Sequence, residues 1–400
     1  MTEATAPQPD RLGRWCGWVL AGVAILTPPM AWLGPLGFAG LMGLAGLLCL
    51  PALRVRQNER LIAILLLALI AWAAISSFWS PFRPAAIEES VALKLGLQLP
   101  LYWSVWQAAR RVDAPGRRRA LRLFAWGLAG LGVLLLVEAF TAGLLYRSLR
   151  DLIHDPIRPD LARKNIAQAS FVLALLWPVA AAGGVRAGAP GWLALPMAAG
   201  TAFLGQLFYS DAPVMAVGLA ILAGAAVWVW PRVAPLGLAG LAASMTLLIP
   251  WIVGVLRHAG LADGLPLSWA ERMGYWVFAW ARVGDHPWQG WGLDASRTFA
   301  PQIQLHPHNG PLQLWLELGV LGPILAAMLW ILALRRVSFP ARNLVAAGTG
   351  ASAMVYLMFH LVSFGVWQEW WLALGALVAV IAALGQGLPP QGLAAETEEA

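Results

Sequence analysis

Apolar runs long enough to cross a lipid bilayer, about 20 residues each, recur along this whole chain. They fall at roughly 15–33, 35–53, 61–79, 91–109, 120–145, 165–184, 192–209, 212–230, 233–256, 312–334, 341–363 and 366–386. Prolines and glycines mark the joins, as at Gly34, Pro35, Pro81, Pro190, Gly191, Pro231 and Pro235. The pattern predicts an all-α polytopic membrane protein of about twelve transmembrane helices. Two connections are long, one from about Tyr146 to Lys164 and the other from about Arg257 to Pro311. The layout is then a membrane part over 1–256 with outer loop 146–164, a large loop over 257–311, a second membrane part over 312–386 and a polar tail over 387–400. Within the large loop, Ser268 to Val283 predicts a short amphipathic helix. At about 100° per residue, Trp269, Met273, Trp276 and Trp280 form one stripe with Arg272 at its edge. Glu271, Tyr275 and Arg282 lie well away from that stripe. Such a helix suits a membrane interface.

Charge orients these spans. Arg54, Arg56 and Arg60 follow the second span, Arg110, Arg111, Arg117, Arg118, Arg119 and Arg122 the fourth, and Arg335, Arg336 and Arg342 the tenth. All three clusters share one side, which the positive-inside tendency makes cytoplasmic. Both termini then lie in the cytoplasm and both long loops face the periplasm of a bacterial inner membrane. With 60% hydrophobic and 12% charged residues, the chain has too little charge to coat a soluble protein of 400 residues. The net charge of +7 comes in short clusters between apolar runs, which membrane topology explains better than a nucleic-acid-binding face. Tryptophan, at 23 residues, suits membrane interfaces. Cys16 and Cys49 have neither redox nor metal-ligand spacing. The polar start, Met1 to Asp10, lacks the basic stretch of a cleavable signal peptide. The one low-complexity piece is the acidic tail with Glu396, Glu398 and Glu399.

Polar residues inside the spans carry more information. Lys94, Gln98, Glu138, Gln206, Glu317, His360 and Glu369 all fall in the halves nearer the periplasm. A charge in hydrocarbon costs roughly 2.5–3.5 kcal/mol on insertion scales, so it faces water or a partner. Together they predict one shared outward-facing cavity; the alternative is a set of isolated packing pairs. In the first loop, Arg147, Arg150, Arg158, Arg163 and Lys164 offer forks for phosphate oxygens. Asp151, Asp155 and Asp160 between them leave a self-neutralised loop open. The second loop ends in His306, Pro307, His308, Asn309, Gly310 and Pro311. Asn309 and Pro311 suit a helix start, which puts His308 at a helix entrance near the membrane surface. A histidine there suits a general base. Gln313 and Glu317 follow at i, i+4 and share a helix face. No carboxylate stands at metal-ligand spacing from His306 and His308, so no metal is expected.

The run His308 to Gly319 resembles the H-x-x-x-L-x-x-x-x-E-x-G signature of the bacterial O-antigen ligase and polymerase superfamily. Arg272, Trp276 and the segment His286 to Gly292 resemble that superfamily's R…W…hPxxGxG stretch. Arg163, Lys164 and Asn165 resemble its arginine-to-asparagine segment. One departure stands out: where members often carry a Ser-Arg pair after the seventh span, Ser210 is followed here by Asp211. The resemblance implies a C-type glycosyltransferase architecture. It also implies transfer of a glycan from undecaprenyl diphosphate to a sugar hydroxyl of lipid A-core, with inversion. In that scheme His308 takes the acceptor proton, and Arg158, Arg163, Lys164 and Arg272 hold the diphosphate. Asn165, Asn309, Gln313 and Glu317 support them, and no metal, cofactor or nucleotide sugar takes part. An O-antigen polymerase and a protein-glycosylating ligase share these motifs. A lipid or glycan transporter would instead need a polar path through the membrane.

Overall fold

A computed structural model describes residues 10–260 and 264–388. The expectations for Met1 to Pro9 and for the acidic tail with Glu396, Glu398 and Glu399 lie outside the described residues. Among the described residues the chain is helical, with no strand. The first half comprises α1 (Arg11–Leu33), α2 (Phe38–Leu48), α3 (Arg60–Ser76), α4 (Val91–Arg111), α5 (Ala114–Phe140), α6 (Leu144–Leu152) and α7 (Pro159–Arg186). The second comprises α8 (Ala194–Leu207), α9 (Asp211–Val229), α10 (Ala234–His258), α11 (Leu267–Asp285), α12 (Gly310–Leu318), α13 (Leu321–Arg335), α14 (Leu344–Val362) and α15 (Glu369–Gln386). Eight helices are long and apolar enough to cross a membrane: α1, α3 with its preceding turn, α5, α7, α9, α10, α14 and α15. Shorter apolar helices complete the set at Pro35–Leu48 and α13. Ten of the predicted apolar runs fall on these helices, while 91–109 falls on α4 and 192–209 on α8, and the protein is an all-α polytopic membrane protein.

Small and β-branched side chains let α7 sit at the centre. Ala162, Ala169, Ala174, Ala180 and Val172 are fully buried against α5, α8, α14 and α15. Between membrane helices the drive to associate comes from close packing, which small residues permit. By contrast, α3 buries only Leu65, Ala73 and Ser76 and stands at the periphery.

Two predicted boundaries change. The first long loop folds into α6 and then enters α7 at Pro159, a residue suited to a first helical turn. Arg163, Lys164 and Asn165 therefore ride the first turns of α7, not a loop. The predicted span 312–334 is two helices, α12 and α13, broken at Gly319 (φ 62°, ψ −157°). The reason lies in the preceding loop. Trp291 and Gly292 donate their backbone N–H groups to the carbonyls of Leu316 and Glu317 (both 2.8 Å), and Val320 donates to the carbonyl of Pro287 (2.9 Å). The segment 287–292 thus takes the hydrogen bonds that a continuing helix would have made. A Cβ at Gly319 would come within 2.1 Å of the Trp288 carbonyl oxygen, and one at Gly290 within 2.4 Å of that of Glu317. The Trp72 indole of α3 closes the break by donating to the Leu318 carbonyl (2.9 Å).

The polar residues predicted to share one cavity are instead divided among local partners. Glu369 accepts from Lys94 (2.7 Å) and Gln98 (2.6 Å). Glu138 accepts from the Trp32 indole (3.0 Å) and the Tyr146 backbone (2.8 Å). His360 stacks on Tyr356, and Gln206 is exposed. An unpaired charge in an apolar interior is so costly that Lys94, Glu138 and Glu369 each find a partner on another element. Glu317 belongs to a separate constellation at the break.

Gly319→Ala puts a side chain into a backbone region that is essentially glycine-only and against a carbonyl. A loss of about 1–3 kcal/mol from the backbone alone is expected. A thermal-unfolding series in detergent should show a clearly lowered midpoint; an unchanged one would mean that the break is not fixed here.

Candidate active site

His308 is held by three neighbours. Its backbone is left-handed (φ 54°), and its N–H donates to Nδ1 of His306 (3.1 Å). Its own Nδ1 lies 2.9 Å from the carbonyl oxygen of Ser363, at the end of α14. A carbonyl oxygen only accepts, so Nδ1 carries the ring hydrogen and Nε2 keeps a lone pair. The ring stacks on Tyr275 of α11, centroids 5.9 Å apart. Burial, with the nearby Arg272 charge as a further contribution, lowers the His308 pKa from its ordinary value near 6.5; the Ser363 bond opposes the shift. His306 is pushed down to about 3 by burial and then by His308 and Arg297. It is therefore neutral, and accepting at Nδ1 leaves its hydrogen on Nε2. Gln368 lies 3.0 Å from that nitrogen, with its amide oxygen otherwise unpartnered. The amide oxygen is the group that chemistry requires to face His306.

Arg272 sits one turn before Tyr275 on α11. Its guanidinium lies over the Trp269 ring at 5.3 Å and is half-buried. Desolvation works against its charge, while Asp211 and Glu271 favour it. Asp211, the departure from the superfamily pattern, therefore lies within electrostatic reach of Arg272. The predicted stripe holds: Met273 and Trp276 are buried, together with Ala279 and Val283. They pack with Ile249 and Val253 of α10 and Leu312 and Leu316 of α12. Protein rather than lipid takes the apolar face of α11. Tyr275 is not on a solvated face either, since the 299–308 segment returns across α11.

Asn309 caps α12 as its residue type suggested, its side-chain oxygen accepting from the Leu312 N–H (2.9 Å). Below it lies Glu317, fully buried. One carboxylate oxygen accepts from the Ser296 hydroxyl (2.5 Å) and the Gln313 amide (3.0 Å). The other accepts from the Asp294 backbone (2.9 Å) and the Trp367 indole (2.6 Å). The Gln313 oxygen in turn accepts from the Val366 backbone (2.9 Å). The i, i+4 pair thus ties together the 294–296 turn, α12 and the 363–368 segment that positions His308. Asp294 itself is raised by burial, although Arg297 lies 3.3 Å away. Among the described residues no three His, Cys, Asp or Glu side chains gather as metal ligands.

The other predicted cations stay apart from this cluster. Arg158 is exposed and makes a two-pronged pair with Asp160 (2.8 and 3.1 Å), as a self-neutralised loop would. Arg150 likewise pairs with Asp155 (2.5 Å). Arg163 and Lys164 are exposed on the first turn of α7. Asn165 donates to the Tyr146 hydroxyl (3.4 Å). Arg163 lies roughly 12 Å along α7 from Phe171. Phe171 packs on Phe364, the neighbour of Ser363.

Residues 171–327 match the family described as O-antigen ligase. That stretch contains Arg272, His308, Asn309, Gln313 and Glu317. Two curated relatives carry the name "Putative polysaccharide ligase". The one from Rickettsia conorii is 30% identical over 128 residues, covering 28% of this chain and 31% of the relative. The one from Rickettsia bellii is 28% identical over 153 residues, covering 34% and 38%. The chain thus matches about a third of the length of each. No solved structure matches. The O-antigen ligase stretch leaves out Arg158, Arg163, Lys164 and Asn165.

Sequence reasoning missed Tyr275, Ser363, Ser296, Asp294 and Trp367. Tyr275 carried a signal in its i+3 spacing from Arg272. Ser363 contributes a main-chain carbonyl, which no side-chain pattern reports. Replacing Glu317 by Gln turns two of the acceptor sites toward an NH2 that meets other donors. A destabilisation on the order of 3 kcal/mol is expected. It is measured as a lowered unfolding midpoint; an unshifted midpoint would contradict the role assigned to this carboxylate.

Proposed function

We propose that the protein is an inverting glycosyltransferase of the O-antigen ligase type. It takes a glycan from undecaprenyl diphosphate and joins it to a sugar hydroxyl of lipid A-core at the periplasmic face of the inner membrane. The observation that carries this reading is the state of His308: Nδ1–H is fixed on the Ser363 carbonyl, Nε2 keeps a lone pair, and the Arg272 charge lies within electrostatic reach of the ring. Nε2 takes the proton of the acceptor hydroxyl as its oxygen attacks the anomeric carbon. The bond from that carbon to the diphosphate oxygen breaks, and the electron pair leaves with the diphosphate. Arg272 meets the charge that develops there, an electrostatic contribution that is strongest where water is excluded. Tyr275 offers a face for a sugar ring beside the base. Arg163 and Lys164, at the head of α7, are the further cations that reach the same diphosphate once it is bound; Arg158 would first have to leave Asp160. Asn165, Asn309, Gln313 and Glu317 position these groups. The donor, acceptor and periplasmic orientation rest on the family relationship and on the arginine distribution.

The test is transfer by purified protein from a defined lipid diphosphate donor to lipid A-core. His308→Ala lowers the rate roughly 100- to 10,000-fold, the usual contribution of a general base. Full activity of that variant removes the mechanism. Accumulation of longer chains on the carrier lipid, without modified lipid A-core, identifies a polymerase instead.

The base must be neutral to act, so activity rises with pH through its pKa. Because the His308 pKa is lowered, the acid limb of kcat/KM lies below pH 6.5. Arg272→Gln removes one cause of that depression and should move the limb to higher pH, with a rate loss of about 100-fold from the missing charge. A limb that stays in place would separate Arg272 from His308.

A further inference from the structure

At the opposite end of the molecule from His308, a cavity of about 1260 Å3 opens between α3, α4, α13, α14 and α15. It exceeds the roughly 300–1,000 Å3 of ordinary small-molecule pockets. Its walls are mainly apolar, with Leu66, Leu99, Leu329, Trp330, Leu372 and Ala379 among them. One end is cationic: Arg110, Arg117 and Arg336 all line it. Acyl chains suit the first part and an anion the second.

The charge at that end is poorly compensated within the protein. Arg110 is repelled by Arg56, Arg336, Arg54 and Arg117, and its ion-pair partner is the buried Glu59. Arg117 spends its guanidinium on the carbonyls of Val112 (2.6 Å), Ala383 (2.9 Å) and Arg110 (2.8 Å), with Asp113 near it. Arg336 donates to the Asn58 carbonyl (2.5 Å), so a neutral group meets its charge. Arg110 and Arg336 both lie against the Trp106 ring, at 5.0 and 5.8 Å from its centroid. One indole therefore holds two like charges at the cavity mouth. Along the wall, the buried hydroxyls of Tyr102 and Ser352 have no protein partner. Ester oxygens are acceptors of the kind they need.

We propose that this cavity binds one anionic diacyl phospholipid from the leaflet at the arginine end. Its phosphate lies between Arg110 and Arg336, its ester region faces Tyr102 and Ser352, and its chains run along the apolar wall. An uncharged chain would leave the arginines repelling one another, and a free anion would leave the apolar wall empty. The proposal stands apart from the glycan-transfer reading, because it uses none of the residues around His308.

The experiment uses the full chain in nanodiscs of equal phosphatidylglycerol and phosphatidylcholine. The protein is then released into mild detergent, and retained lipid is read by native mass spectrometry. Phosphatidylglycerol should be retained over phosphatidylcholine, roughly fivefold per engaged arginine. Arg336→Gln should lower that preference roughly fivefold. Ala379→Phe fills the apolar wall and should abolish retention of both lipids without changing the elution volume. Inorganic phosphate should not displace the lipid. Equal retention of the two lipids overturns the proposal, as does a preference unchanged in Arg336→Gln. Displacement by inorganic phosphate, or a lipid-free dimer in the spectrum, overturns it too.

Discussion

A carboxylate buried in an apolar body must be surrounded by donors, and Glu317 obtains four of them from three separate stretches of chain. Much of the candidate site follows from meeting that requirement. The 294–296 turn must come close enough to offer Asp294 N–H and the Ser296 hydroxyl. The 363–368 segment must come close enough to offer the Trp367 indole. Once both are in place, the Ser363 carbonyl stands where it can fix the His308 tautomer. A base whose protonated nitrogen is chosen by a main-chain oxygen is preorganised without any flexible side chain behind it.

The helix break at Gly319 serves the same assembly. Ending α12 frees the carbonyls of Leu316 and Glu317, and the 287–292 segment occupies them. That segment follows α11 directly, so docking it also places Tyr275 over the His308 ring and Arg272 within electrostatic reach of it. Gly290 and Gly319 are needed because the 287–292 segment and the end of α12 meet with no room for a Cβ, and Gly292 because the backbone of Ser76 and Ser80 lies against it. The motif is therefore a packing device first, and the chemistry sits beside it.

The two ends of the bundle handle charge differently. Away from the arginine clusters, several charged groups are individually matched, as Lys94 is with Glu369 and Arg158 with Asp160. At the other end, arginines crowd around Glu59 and an indole, leaving positive charge for something outside the protein. Positive residues accumulate where anionic headgroups offset their mutual repulsion. On the proposed lipid reading, the arginine clusters expected to orient the chain also shape its contact with lipid.

The helices were legible in the sequence because bilayer thickness imposes length and polarity on each run locally, one span at a time. The Asn309 cap, the buried stripe of α11 and the shared face of Gln313 and Glu317 were legible for the same reason: each depends on neighbours within a turn or two. Tertiary structure alone decided the rest. It split 312–334 at Gly319 because a distant segment competes for the helix's hydrogen bonds. It parted Lys94, Glu138 and Glu369 into local pairs because depth in a membrane fixes only one coordinate. It stacked Tyr275 on His308 and kept Arg158 with Asp160, since which side chains meet depends on how the loops fold back, and periodicity carries no record of that.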